Sequence, residues 1–257
     1  MDIDDDKNIL ISIKDVSKSF CNHKDNLLVL ENLTLNIHSN EFISILGPSG
    51  CGKSTLIDLI LGHKKIDAGS ISIKSPNNGK PQNIAVVWQE DFLVPWKTVY
   101  QNLEYPLIIK RVDLPERKER ITFWLKTIGL SNFSDYYPNK LSQGMKKRVA
   151  IASIMVTQPD IVFFDEPFTG LDTDTKRNIQ SVLFNIWKEM KLSMVLITHD
   201  VQEAVSMSGR IIVLSKSPSN VLFEEKLNPN ENFYAQFQND DFYQSVKVLT
   251  RKLVDVW

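Results

Sequence analysis

The sequence predicts an α/β fold with a mixed, mostly parallel core sheet, an antiparallel β-subdomain and a helical subdomain. Continuous apolar runs, "FISILG" (42–47), "IVFFDE" (161–166) and "MVLITHD" (194–200), read as strands buried on both faces, as parallel strands are. "ILISIKDV" (9–16) and "LTLNI" (33–37) instead alternate apolar and polar residues, as half-buried antiparallel strands do. The stretch between the first and second apolar runs carries helix signals. A chain of 257 residues buries a full core, so the expectation is one domain over 1–257, with a helical insert at about 92–158 and a C-terminal extension over about 216–257.

In chain order, the N-terminal "MDIDDDKNIL" is acidic where a signal peptide would be basic and then apolar, and reads as a short lead-in. Of the insert's helices, "TVYQNLEYPLIIK" opens with the capping-box spacing Thr98 to Gln101, and "PERKERITFWLKTIG" begins at Pro115 and ends at Gly129. Ile121, Trp124, Leu125 and Ile128 fall on one face of the second, where core packing is the expectation. In the tail, "SKSPSN" and "LNPNENF" are loop-like, and "DFYQSVKVLTRKLVDVW" sets Phe242, Val246, Leu249 and Leu253 at the spacing of a packed terminal helix.

Composition excludes several classes. The 30 basic and 31 acidic residues give a net charge of −1, which offers no field for nucleic acid as the main partner. Apolar runs such as "IVFF", "MVLI" and "IIVL" fall far short of the roughly 20 residues of a membrane span. Two cysteines, Cys21 and Cys51, are too few for a disulfide framework or a zinc site, and a reduced, cytoplasmic setting follows more simply.

The motif with the most chemical content is "GPSGCGKST": Gly47, Pro48, Ser49, Gly50, Cys51, Gly52, Lys53, Ser54 and Thr55. It follows the strand "FISIL" and precedes the helix "LIDLILG", the setting a phosphate-binding loop requires. Its backbone amides would wrap a β-phosphate at the positive helix end, Lys53 would reach the β- and γ-phosphates, and the Ser54 hydroxyl would ligate Mg²⁺. ATP and Mg²⁺ are the ligands this implies. "IVFFDEP" (161–167) ends in paired carboxylates. Asp165 suits Mg²⁺ through water and Glu166 suits activation of a water, while a plain helix cap or solvated turn is the alternative for any such pair. "NKLSQGMKKRVAIAS" (139–153) starts a helix at Ser142, with Gly144 permitting a close approach, and an exposed helix start is an anion site.

Taken in order, "GPSGCGKST", Gln89 in "VVWQED", "LSQGM", "IVFFDEP", "GLD" (170–172) and His199 in "ITHD" resemble the nucleotide-binding subunit of ABC transporters from about residue 11 to about 215. The resemblance implies the ABC type of P-loop NTPase fold and ATP hydrolysis. It implies that Phe20 stacks on adenine, an ordinary core Phe being the alternative; that Gln89 touches Mg²⁺ or the attacking water; and that His199 contacts the γ-phosphate and orients water with Glu166. Ser142, Gln143, Gly144 and Met145 would close over the γ-phosphate held by a facing subunit, and Asp172 would help couple the two sites.

Gln143 replaces the family's first glycine of the pair, Met145 its glutamine, Ser153 its arginine, and Thr169 and Gly170 its "SA". The implied partners are a second ATPase subunit, as a homodimer, integral membrane permease subunits near the Gln89 to Lys110 region, and indirectly a solute-binding protein, with the chain peripheral to the cytoplasmic face of the plasma membrane. "WQEDFLVPWKTVYQNLEYPL" (88–107) resembles the corresponding region of nitrate, sulfonate and taurine importers. An exporter cassette and a thiamine-precursor importer are the nearest alternatives. A soluble ABC ATPase would carry fused cassettes or a coiled-coil insert, and a small-molecule kinase would not need "LSQGM" or His199.

Overall fold

A computed structural model of the chain describes residues 8–22, 25–74, 82–227, 240–254 and 257. The lead-in expected over 1–7 and the "NPNENF" part of the tail loop lie outside the described residues. The chain forms two compact units, Met1–Gln82 with Trp187–Trp257, and Asn83–Ile186.

In the first unit, β1 (Ile9–Asn22) is the middle of a three-stranded antiparallel sheet, flanked by β2 (Asp25–His38) and β4 (Ala68–Ile73). Ile13 pairs with Leu35 on one side and Ile71 on the other, and the alternation seen in the sequence buries Ile11, Ile13, Leu33, Leu35 and Ile37. The same unit holds β3 (Phe42–Leu46) between two parallel neighbours, β7 (Ser193–Thr198) and β8 (Arg210–Leu214), with β9 (Val221–Lys226) antiparallel on β8. Every residue of β3 and β7 is buried, as continuous apolar runs demand. Helix α1 (Lys53–Ile60) follows β3 and α6 (Val201–Met207) follows β7.

The terminal helix α7 (Asp240–Val254) docks Phe242, Leu249 and Leu253 against Leu46, Ala204, Val205, Ile211 and Val213, with Val246 partly buried beside them. Trp257 Nε1 then donates to Leu214 O at 3.0 Å. The tail is thus joined to the strands that carry the glycine loop.

The second unit contains the parallel pair β5 (Ile84–Val87) and β6 (Ile161–Asp165) and the helices α2 (Val99–Ile109), α3 (Leu114–Thr127) and α4 (Gln143–Met155); α5 (Thr173–Met190) runs through its end. Thr98 and Gln101 form the expected capping box. Helix α3 begins one residue before Pro115, because the Asp113 carboxylate accepts Glu116 N–H at 3.0 Å and sets the cap there. Ile121, Trp124, Leu125 and Ile128 are all buried.

Helices α3 and α4 cap each other's C-termini. Arg148 of α4 donates to Ile128 O at 2.9 Å, and Arg120 of α3 donates to Val156 O at 3.3 Å. Each cation meets the negative end of the opposite helix, and burial pushes the Arg148 guanidinium below its ordinary value. Among the described residues, no helix is long and apolar enough to cross a membrane.

Replacing Leu249 with alanine removes a side chain that is 2% exposed. The expected cost is about 2–5 kcal/mol of unfolding free energy by chemical denaturation. A loss below about 0.5 kcal/mol would mean that α7 is not part of the core.

Candidate functional site

The first unit presents a phosphate-loop half site at the carboxyl ends of its parallel strands. Leu46 of β3 lies beside Thr198 of β7, and Gly47 N–H donates to Thr198 O at 3.2 Å. Residues 47–55 and His199 therefore leave the sheet side by side, where open α/β sheets bind ligands. His199 is exposed. Its neighbours hold it from both sides: Thr198 Oγ1 donates to Glu203 Oε2 at 2.5 Å and accepts from Asp200 N–H at 3.0 Å, while the Asp200 carboxylate caps α6.

Gly52 stands at φ 106 as the N-cap of α1, and the first turn of that helix contains no acidic residue. The first turn of α1 itself thus supplies no carboxylate to compete with an anion at its positive end. A Cβ on Gly52 would lie 2.8 Å from Val29 Cγ1 and 2.9 Å from Leu30 Cδ2, so the loop backbone sits directly on β2 and only glycine fits. Lys53 is 5% exposed, and its ammonium donates to Gly47 O at 2.8 Å and Pro48 O at 3.0 Å. Cys51 is buried, and its carbonyl accepts from the buried Ser219 hydroxyl at 2.5 Å. Ser49, Gly50 and Ser54 are exposed, and Pro48 and Thr55 are half-buried.

Phe20, in β1, is not part of the core. Its half-buried ring lies between two ammonium groups, with Lys18 Nζ 5.5 Å and Lys64 Nζ 5.1 Å from its centroid. Asp67 accepts from Lys18 Nζ and from Ser19 N–H, both at 2.6 Å, and the Lys18 contact holds its carboxyl below the usual carboxylate value.

The second unit carries a further set of candidate site residues. Val87 of β5 pairs with Phe164 of β6, so Gln89 and the pair Asp165, Glu166 emerge at the same end of two parallel strands. Asp165 is 7% exposed, while Gln89 is exposed. Glu166 has φ 45, a left-handed backbone that costs a non-glycine residue about 1–2 kcal/mol. Thr169 braces this turn, donating its N–H to Glu166 O at 3.3 Å and its hydroxyl to Glu166 Oε2 at 3.4 Å.

Ser142 is the N-cap of α4 and accepts Met145 N–H at 3.3 Å. Gln143 is exposed and Met145 half-buried. Gly144 is buried, and the group it admits is Thr175 of the same chain: a Cβ on Gly144 would lie 2.3 Å from Thr175 Cγ2. Thr175 N–H in turn donates to Asp172 Oδ1 at 3.0 Å. Hydrogen bonds from Thr175 hold the Asp172 carboxyl below its ordinary value, so this contact stabilises the chain above the ordinary carboxylate range and is lost as pH falls through the lowered one.

Three residues that the sequence did not single out shape the surroundings of these residues. Asn102 is 5% exposed; its Oδ1 accepts Val94 N–H at 2.8 Å and its Nδ2 reaches Thr98 O at 2.9 Å and Lys97 O at 3.0 Å, folding the turn before α2 around itself. Lys147 donates to Gln89 O at 2.8 Å, and Ser219 supports the glycine loop. No local pattern marks them, since each acts on backbone distant from it or folded against it. Among the described residues, no group of three or more His, Cys, Asp or Glu side chains gathers into a metal cage.

Comparison with known proteins gives a consistent result. The family model described as "ABC transporter" matches residues 30–169. The chain is 35% identical over 238 residues to an aliphatic sulfonates import ATP-binding protein of Bacillus cereus, covering 92% of each. It is 37% identical over 219 residues to a nitrate import ATP-binding protein of Synechocystis, covering 85% of this chain and 82% of the relative. A dimeric ATP-binding cassette, MJ0796, solved in a post-hydrolysis state with ADP and Pi, is 34% identical with a TM-score of 0.73, covering 86% of this chain and all of that one.

The contact of Gly144 with Thr175 gives a sharp test. Gly144→Ala should lower the thermal midpoint and weaken whatever the start of α4 binds. Adding Thr175→Ser, which removes the interfering methyl, should restore most of the midpoint. Full stability of the single variant would contradict the close packing.

Proposed function

The chain belongs to the ABC transporter ATP-binding family, and from that membership we propose that it is the ATP-hydrolysing subunit of an importer for a small anion of the sulfonate or nitrate class. The observation that carries this reading is the Gly47–Thr55 loop, which leads from β3 into the start of α1 beside His199. The substrate class follows from the names of the relatives and from the resemblance of residues 88–107.

In this reading Phe20 stacks on adenine, the base taking the place of an ammonium group, Lys18 or Lys64, now over the ring. The amides of Gly50–Thr55 and the Lys53 ammonium hold the β- and γ-phosphates, Lys53 exchanging its two loop carbonyls for phosphate oxygens. Glu166 accepts a proton from the attacking water, and His199 orients that water against the γ-phosphate. Catalysis is then positioning and electrostatic stabilisation, with the strained turn at Glu166 fixing the carboxylate.

By its chemistry Mg²⁺ suits the donors this reading assigns to it. The Ser54 hydroxyl, the Gln89 carboxamide and the Asp165 carboxylate are hard oxygen ligands, few enough to leave places for phosphate and water. When bound, the ion neutralises charge on the phosphates.

Ser142, Gln143, Gly144 and Met145 form the half of the site that a second copy of the chain uses, which makes the working form a head-to-tail homodimer with two ATP molecules between the subunits, and Asp172 couples the two sites. ATP binding draws the subunits together and hydrolysis releases them. The stroke passes to membrane permease subunits near Gln89 to Lys110, where Phe92 and Trp96 are 71% and 76% exposed on the turn that Asn102 holds. A solute-binding protein delivers the cargo, and the chain lies on the cytoplasmic face of the plasma membrane.

Lys53→Ala removes a preorganised cation worth on the order of 3 kcal/mol, so turnover should fall more than a hundredfold; hydrolysis within tenfold of the parent would refute that role. Glu166→Gln should bind Mg-ATP and stall as a dimer, visible by light scattering, and a strictly monomeric species would refute the homodimer. Trp96→Ala should lose the membrane subunit that mass spectrometry finds after a mild-detergent pull-down, while nucleotide binding by the purified chain stays unchanged. Recovery of ribosomes or DNA in place of a membrane protein would overturn the importer reading.

A further inference from the structure

Lys147 lies in α4, a little more than one turn beyond Ser142, and its side chain is 3% exposed. A buried ammonium is tolerated only where its charge and its three donors are met. Here the partners come from one short segment directly after β5: the ammonium donates to Gln89 O at 2.8 Å and Trp88 O at 3.4 Å, and Asp91 Oδ1, 2.8 Å away, meets its charge without hydrogen-bond geometry. The turn over residues 88–91 is folded around a cation that α4 supplies.

That arrangement fixes the Gln89 backbone by its carbonyl while the residue as a whole remains exposed. The tether is stiff at its other end as well. Helix α4 is held to Thr175 at Gly144, where there is no room for a methyl group, and to the end of α3 through Arg148. A displacement of the helix start therefore moves the 88–91 turn with it, unless charge-assisted bonds to a buried lysine are broken.

We propose that Lys147 is a positioning residue that couples the helix start at Ser142–Met145 to Gln89, so that seating this helix start on a nucleotide sets the position of the Gln89 turn. The proposal rests on the functional reading above for the identity of that nucleotide. The tether itself is a property of the free chain. Lys147 touches no reacting atom and acts through the backbone of Gln89.

The test uses the full-length chain, with Lys147→Met, close in size and without charge, and Asp91→Asn as a milder second variant. Backbone hydrogen exchange is measured with and without Mg-ATP. In the parent chain, the peptide containing residues 88–92 should change its exchange together with the start of α4 when Mg-ATP is added.

In Lys147→Met that peptide should exchange at least tenfold faster without nucleotide and no longer respond to it, while peptides of the glycine loop keep their response. The turnover number should fall at least tenfold with the Michaelis constant for ATP within about threefold, a split that general destabilisation would not give. Asp91→Asn should shift exchange and turnover in the same direction by a smaller factor, and it decides the matter if the first variant fails to fold. Exchange at 88–92 and turnover both within twofold of the parent, in a folded variant, would overturn the proposal. A parent chain that binds ATP without any response at 88–92 would also overturn it, whereas a parent chain that binds no ATP would overturn the functional reading instead.

Discussion

A helix end that is to receive an anion has to be left uncovered, and that requirement governs the architecture around Gly47–Thr55. Gly52 caps α1 without a side chain, so the loop is held from outside its concave face. Val29 and Leu30 press on Gly52 from β2, Thr198 takes the Gly47 amide from β7, and the Ser219 hydroxyl takes the Cys51 carbonyl from the loop after β8. Lys53 neutralises two loop carbonyls with its own ammonium. The loop backbone is thereby braced by three neighbouring segments of the chain.

The bracing explains why the tail matters to the site. Leu214 ends β8 and its carbonyl receives Trp257, while residues 215–219 run back along β2, with Ser219 N–H on Val29 O and Ser219 O accepting from Glu31 N–H. Helix α7 covers the other side of the same strands. From sequence the tail was the least informative part of the chain. Its apolar spacing revealed a helix but not that the residues before it support the phosphate loop, because a serine hydroxyl reaching a distant carbonyl leaves no periodic trace.

What was legible in the sequence is what is set locally. The buried strands followed from uninterrupted apolar runs, α2 from the Thr98–Gln101 box, and the inner face of α3 from its spacing. The short strands β4 and β9 lack such a signal, since most of their residues are exposed or half-buried and no continuous apolar run marks them. The candidate site residues were legible as motifs with known chemistry, but their supports were not: Asn102, Lys147 and the exchanged caps Arg120 and Arg148 act through side chain to backbone contacts, and Thr175 through packing on Gly144, none of which a local pattern marks.

The departures from the family pattern at 143, 169 and 170 lie close together. Gln143 lies near Gly170, since a Cβ on Gly170 would be 3.7 Å from Gln143 Nε2, and Gly170 has φ 78, a backbone that an alanine there would hold only under strain. Thr169, its neighbour, places a hydroxyl on Glu166. Ser153 closes its own hydroxyl on Ala150 O at 2.8 Å and makes no demand on a carboxylate. The substitutions at 143 and 170 therefore describe one local solution: the larger side chain at the helix start faces a residue without a side chain, while Thr169 keeps on Glu166 the hydroxyl that a serine would also supply. A helix start altered in this way keeps its Ser142 cap and its Gly144 packing, so the change is one of exposed surface and not of the helix that carries it.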